Sequence, residues 1–151
     1  MKASGNRRGP WAKGQGGPVS RIHLTFGALI AAQALHSIEE YSGRLYEIFP
    51  PARFMCGLVS RDLRRGFIII NVLFVAFGVW CWVWPLRNRW VSAPALVYGW
   101  AAVEAANGIG HLLWSLGQGA YQPGVTTAPL LLVLALSLAY RPGLRRMAGP
   151  P

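Results

Sequence analysis

Six polar side chains in this sequence have the right types and spacing to do chemistry. His36, Glu39 and Glu40 form one group, and Glu104, Asn107 and His111 a second. Imidazoles set beside carboxylates support two kinds of reaction. They move protons as general acids and bases when burial tunes them. They also ligate divalent metals such as zinc or iron. Neither group contains a Lys or Arg. Compensation for the carboxylates therefore comes from a proton, an imidazolium, a bound cation, or an arginine such as Arg44 reaching in from a loop.

The surroundings of these residues are apolar. The 151-residue chain is 53% hydrophobic, and its fifteen Lys and Arg fall in tails and loops between long apolar runs. That distribution predicts an all-α fold, a four-helix transmembrane bundle with spans at about 22–41, 66–86, 92–116 and 125–140. Residues 1–21 and 141–151 read as basic tails, the first of them disordered. Between the first two spans, Phe54, Met55, Leu58, Val59 and Leu63 recur at helical spacing among arginines, which predicts a short interfacial amphipathic helix. Trp80, Trp82, Trp84 and Trp90 form an aromatic belt at the end of the second span. Ser92 and Pro94 suit the start of the third span, and Pro123-Gly124 reads as a turn. A secretory signal ending near Ala32-Gln33-Ala34 is disfavoured, because three further spans follow.

The net charge of +10 does not indicate nucleic acid, since the basic residues flank spans and do not form a patch. Ten of them lie in the two tails and the second loop, and five in the first loop. This places both termini in the cytoplasm of an integral cell-membrane protein. Cys56 and Cys81 are too few for a disulfide framework.

Four alternating spans put His36, Glu39, Glu40, Glu104, Asn107 and His111 at similar depth, in the outer half of the bilayer. Asn71 near the start of the second span and Thr126 and Thr127 at the start of the fourth join them, with Tyr121 in the preceding turn as a supporting group. At about 100° per residue, Glu104 and His111 lie about 20° apart on their helix and Asn107 about 60° off that stripe. His36 and Glu40 are one turn apart, flanked by Glu39. Ionisable groups inside a span are costly, roughly 2.5–3.5 kcal/mol for each charge on insertion scales, and they mark functional sites. The plain alternatives are a polar clamp between helices for Asn107 and packing hydrogen bonds for Asn71, Thr126 and Thr127.

These residues resemble the HXXEE-domain family of small integral membrane proteins. The naming motif reads His36-Ser37-Ile38-Glu39-Glu40, followed in order by Asn107-x-x-x-His111 and Gly117-x-x-x-Tyr121. The resemblance implies an integral membrane protein with a functional centre at these positions, and brings no agreed reaction.

Three functions fit the residues. The first is a membrane-embedded enzyme acting on a lipophilic substrate by Glu/His acid–base chemistry, an isomerase or cyclase, with His36, Glu39, Glu40, Glu104, Asn107 and His111 as the catalytic set. The second is a hydrolase or oxidase with a divalent metal on His36, Glu40, Glu104 and His111. The third is a scaffold or small transporter. The expected partners are the bilayer and a lipophilic small molecule, with no nucleic acid, and the oligomeric state is left open.

Overall fold

The computed structural model describes residues 18–141, which form six α-helices and no strand. Helix α1 runs Pro18–Ser42, with proline in the first turn where a missing N–H costs nothing. It stops where Arg44 takes a left-handed conformation, φ 54°. Two short helices follow, α2 Leu45–Ile48 and α3 Pro50–Val59, separated by Phe49, whose extended backbone is what a following proline favours. Helix α4, Leu63–Cys81, begins at Asp62, whose carboxylate accepts hydrogen bonds from the Arg64 and Arg65 N–H groups. It continues as a π-helical turn, Trp82–Leu86, around Pro85, which has no N–H to keep the α-helical register. Helices α5, Ala93–Gln118, and α6, Ala128–Ala139, complete the bundle.

The boundaries differ from the sequence-based ranges for identifiable reasons. Helix α1 starts at its proline, before residue 22, and α4 starts at its aspartate cap, before residue 66. Helix α6 starts later than residue 125, because residues 124–127 are held in a turn. The tails expected at 1–21 and 141–151 lie largely outside the described residues.

Helices α1, α4, α5 and α6 close on a core of Phe26, Leu29, Trp100, Leu131, Ala135 and Leu138. Within it Phe74 stacks on Trp100 with ring centroids 4.3 Å apart. A smaller cluster of Leu45, Tyr46, Cys56 and Phe67 seats α2 and α3 against α4. On its other side α3 leaves Phe54, Met55, Leu58 and Val59 exposed.

Among the described residues one helix, Leu63–Leu86, is long and apolar enough to cross a membrane, with a mean hydropathy of 2.3. Helix α6 has only 12 residues, while α1 and α5 have the length, at 25 and 26 residues, but carry the ionisable groups.

The contact that matters most for the site is between α5 and α6. A Cβ on Gly108 would come within 2.9 Å of the Ala128 carbonyl oxygen, so only glycine allows this backbone approach, which brings the start of α6 beside the last turns of α5. Gly108→Val is expected to lower unfolding stability in detergent by about 1–3 kcal/mol, as overpacking does. Gly110→Ala, where no atom lies within 4 Å of the added Cβ, should be neutral or stabilising. Equal losses in the two variants would show that α5 and α6 do not touch at Gly108.

Candidate functional site

Successive helical residues point about 100° apart, so Glu39 and Glu40 at the end of α1 face different partners. Glu39 turns to the start of α6. Its Oε1 accepts from the Tyr121 hydroxyl at 2.9 Å and the Thr126 N–H at 3.0 Å, and its Oε2 from the Thr127 N–H at 2.9 Å and the Thr127 hydroxyl at 2.7 Å. Four donors fill the acceptor sites of one carboxylate. They also put a negative group where the free N–H groups of a helix start favour one. Burial and the neighbouring Glu39 carboxylate push the Tyr121 phenol above its ordinary range, which keeps it a proton donor.

That network fixes His36. The Thr127 hydroxyl spends its proton on Glu39, so at 2.7 Å it accepts from His36 Nδ1–H. In the neutral ring His36 Nε2 is then a lone pair. It is fully buried, has no hydrogen-bond partner among the described residues, and lies 3.4 Å from Glu40 Oε1. His111 Nε2 approaches the same oxygen at 3.0 Å. The two rings meet edge to face, centroids 4.7 Å apart.

Gly124 closes the wall behind both rings. A Cβ there would fall 2.6 Å from His111 Nδ1 and 2.8 Å from His36 Cε1, and its φ of 96° suits glycine alone. Nothing about the sequence marked Gly124 as more than a turn former.

His36, Glu40 and His111 thus offer three ligand atoms within 4.8 Å of one another, all buried. Zinc ligands about 2.0–2.1 Å from the ion at the tetrahedral angle stand ~3.3 Å apart, close to the 3.4 Å and 3.0 Å that separate Glu40 Oε1 from His36 Nε2 and His111 Nε2. Glu39, with every acceptor site used, is a positioning residue: its bond through Thr127 sets the His36 tautomer, as carboxylates behind metal-ligating histidines do.

Glu104, fully buried, belongs to a separate polar layer with Gln33, Ser37 and Asn71. Hydrogen-bond directions in that layer can be followed from one end. Asn71 Nδ2 donates to the Phe67 carbonyl at 3.0 Å, so its Oδ1 faces Ser37 and accepts the Ser37 proton at 2.7 Å. Ser37 Oγ then accepts from Gln33 Nε2 at 3.1 Å, which turns Gln33 Oε1 toward Glu104 Oε2 at 2.8 Å. Two oxygens that close need a proton between them, and it belongs to Glu104. Turning the Gln33 amide over would let it donate to an ionised Glu104. It would also leave two acceptors, Gln33 Oε1 and Asn71 Oδ1, claiming the single Ser37 proton.

Asn107, one turn beyond Glu104 and beside its carboxyl, also lines a cavity of about 240 Å³ with His111, Phe49 and Trp114. Of the residues singled out in the sequence, the structure therefore brings His36, Glu40 and His111 together, backs them with Glu39, Tyr121, Thr126 and Thr127, and sets Glu104 and Asn71 in an adjoining layer.

The HXXEE family model, described as "Protein of unknown function with HXXEE motif", matches residues 28–140. The chain belongs to the HXXEE family. Its naming motif is the turn of α1 that supplies one imidazole and both carboxylates, and the matched region includes the His111 that completes the cluster. No curated protein and no solved structure matches the chain.

The proton assigned to Glu104 has a direct check in stability. Glu104→Gln replaces the acid O–H with an amide N–H and should unfold at the same temperature as the wild type. Glu104→Ala strands Gln33 Oε1 and should cost roughly 1–3 kcal/mol. A fall for the glutamine variant as large as for alanine would mean that Glu104 is ionised.

Proposed function

We propose that this HXXEE protein is a membrane-embedded hydrolase acting on a lipophilic substrate, with a single divalent metal held by His36, Glu40 and His111. The observation that carries the reading is the unpartnered His36 Nε2 aimed at a carboxylate oxygen that His111 Nε2 also approaches. Two acceptors facing each other in a buried layer call for a cation or a proton between them. The nearest arginines are surface residues of the loops, and the ligand spacing fits zinc.

Support for the membrane setting comes from the outside of the molecule. Leu24, Leu73, Leu113 and Val133, one from each long helix, are 75%, 64%, 63% and 60% exposed. Apolar residues exposed on every long helix suit lipid as the solvent and exceed what a soluble monomer shows. On this reading α1, α4, α5 and α6 all span. Helix α3 lies in the interface on Phe54 and Leu58, both termini face the cytoplasm by the charge count, and the site lies in the outer half of the bilayer.

Three protein ligands leave a fourth position open, as catalytic zinc sites do and structural ones do not. A divalent metal there supplies Lewis acidity, polarising a carbonyl and bringing the pKa of a water to about 7. The chain's own residues do the rest. Phe49 and Trp114 line an apolar approach to His111, and the Asn107 amide at that opening orients the substrate carbonyl.

The same cluster supports a second reading, acid–base isomerisation or cyclisation without metal, in which Glu40 shares a proton with the two imidazoles. Metal analysis separates them. Protein purified without chelators should carry about one equivalent of zinc or iron per chain, lost in His111→Ala and Glu40→Gln. Thr127→Val, which removes only the hydroxyl between Glu39 and His36, should weaken metal binding by roughly 10–100-fold. Wild-type protein that takes up no metal even when zinc or iron is supplied would overturn the hydrolase reading and leave the acid–base one.

A further inference from the structure

Helix α3 has more apolar surface than the bundle covers. At about 100° per residue, Phe54, Leu58, Met55 and Val59 share an arc of about 140°. All four are exposed, Phe54 and Leu58 at 67% each. Cys56 lies about 60° past this arc and is buried with Leu45, Tyr46 and Phe67. The apolar side of α3 is therefore one continuous strip, part of it seated on the protein and part facing away. Arg53 occupies the remaining arc with Gly57, and both are exposed.

The strip is preformed. A Cβ on Gly66 would collide with the Cys56 carbonyl oxygen, so α3 and the start of α4 meet backbone to backbone. Asp62 caps α4 and fixes the connection between the two helices. Nothing in this segment has to order when the strip is covered.

The charges around the strip select what covers it. Residues 44–65 hold five arginines against two acids, Glu47 and Asp62. Arg44 pairs with Glu47, and Arg65 with Asp62. Arg53 and Arg61 are exposed and have no carboxylate partner among the described residues. Arg53 flanks the strip on its polar side, and Arg61 follows its C-terminal end. A second copy of the chain on this face would set these like charges against each other. An anionic membrane surface meets both parts of the pattern. Apolar side chains enter the acyl boundary, and arginines reach the phosphates.

We propose that α3 is an anchor for anionic phospholipid. Phe54 and Leu58 enter the acyl boundary of the leaflet, while Arg53 and Arg61 hold the phosphates of anionic headgroups. The inference rests on the membrane reading above and adds the class of lipid that this surface selects. It is independent of the metal and of which side of the membrane α3 occupies.

The test uses the full chain in phosphatidylcholine nanodiscs that contain a minor share of phosphatidylglycerol. A photoreactive benzophenone side chain replaces Leu58 or, as a reference, Leu73 on the outward face of α4, and adducts are identified by mass spectrometry. Both positions are exposed, so neither change disturbs the core. Leu58 adducts should contain phosphatidylglycerol roughly fivefold above its share of the lipid, whereas Leu73 adducts should follow that share. Arg53→Gln combined with Arg61→Gln, both surface changes, should bring the Leu58 adducts down to that share and leave metal content unchanged. Equal composition at Leu58 and Leu73 in the wild type would overturn the proposal, as would an enrichment that survives loss of both arginines. Adducts from Leu58 to a second chain in place of lipid would overturn it in favour of a protein interface. Lipid adducts at Leu73 but none at Leu58 would remove α3 from the membrane surface and leave the membrane reading standing. Lipid adducts at neither position would overturn the membrane reading with it.

Discussion

Adjacent glutamates on a helix cannot share a partner, and the structure around the site depends on that constraint. The 100° between Glu39 and Glu40 sends one carboxylate to the start of α6 and the other between two imidazoles. Glu39 holds the turn before α6 through two backbone N–H groups and two hydroxyls, so the helix that carries Thr127 is docked by the residue next to the proposed ligand. Thr127 then passes the orientation on to His36. A histidine set by a hydroxyl that is itself set by a carboxylate has one tautomer available, and that tautomer leaves the lone pair of Nε2 facing Glu40. The doubled acid in the motif is thus two parts with separate duties.

The arrangement also shows why the loop before α6 carries Pro123 and Gly124. Pro123 packs where a Cβ on Gly43 would be, at the end of α1, and Gly124 lies against both imidazoles. The loop touches the site from behind while its next residues donate to Glu39. A side chain at Gly124 would press on the rings, and one at Gly108 would hold α6 away from α5. The site is assembled by these close approaches as much as by its polar groups.

Much of this was legible in the sequence, and the rest was hidden for definite reasons. Apolar runs and proline positions located the helices, because periodicity and a missing N–H act locally. The motif spacing marked His36, both glutamates beside it and His111 as residues on inward faces. It could not separate Glu39 from Glu40, because the choice depends on where α6 begins, and α6 begins late because Glu39 holds its first turn. Nor could it divide Glu104 from His111: 20° of helical angle says they share a stripe, but two turns of rise put them beside different residues of α1. Gln33 and Ser37 looked like incidental polar positions, and only the path from Asn71 to Glu104 gives them a part. The helical spacing of Phe54 and Leu58 in α3 could be read from the sequence, whereas the burial of Cys56 against α4 could not.

Helix α1 carries both polar systems on adjoining faces, and this limits how it can move. Its Gln33 and Ser37 belong to the layer that runs from Glu104 to Asn71, while His36, Glu39 and Glu40 belong to the cluster against α5 and α6. Ser37 and His36 are neighbours in sequence, so any rotation of α1 that lengthens the Ser37–Asn71 bond also shifts His36 relative to Thr127. Each of these bonds is near 2.7 Å, where small displacements are felt strongly. In a layer without competing water, a polar group pulled from its partner has no other to turn to. The two networks together therefore lock the rotation of α1. That rigidity holds His36 Nε2 at a fixed spacing from Glu40 Oε1 even though no protein donor joins them, and a fixed spacing between two acceptors is the condition under which a cation can be bound in defined geometry.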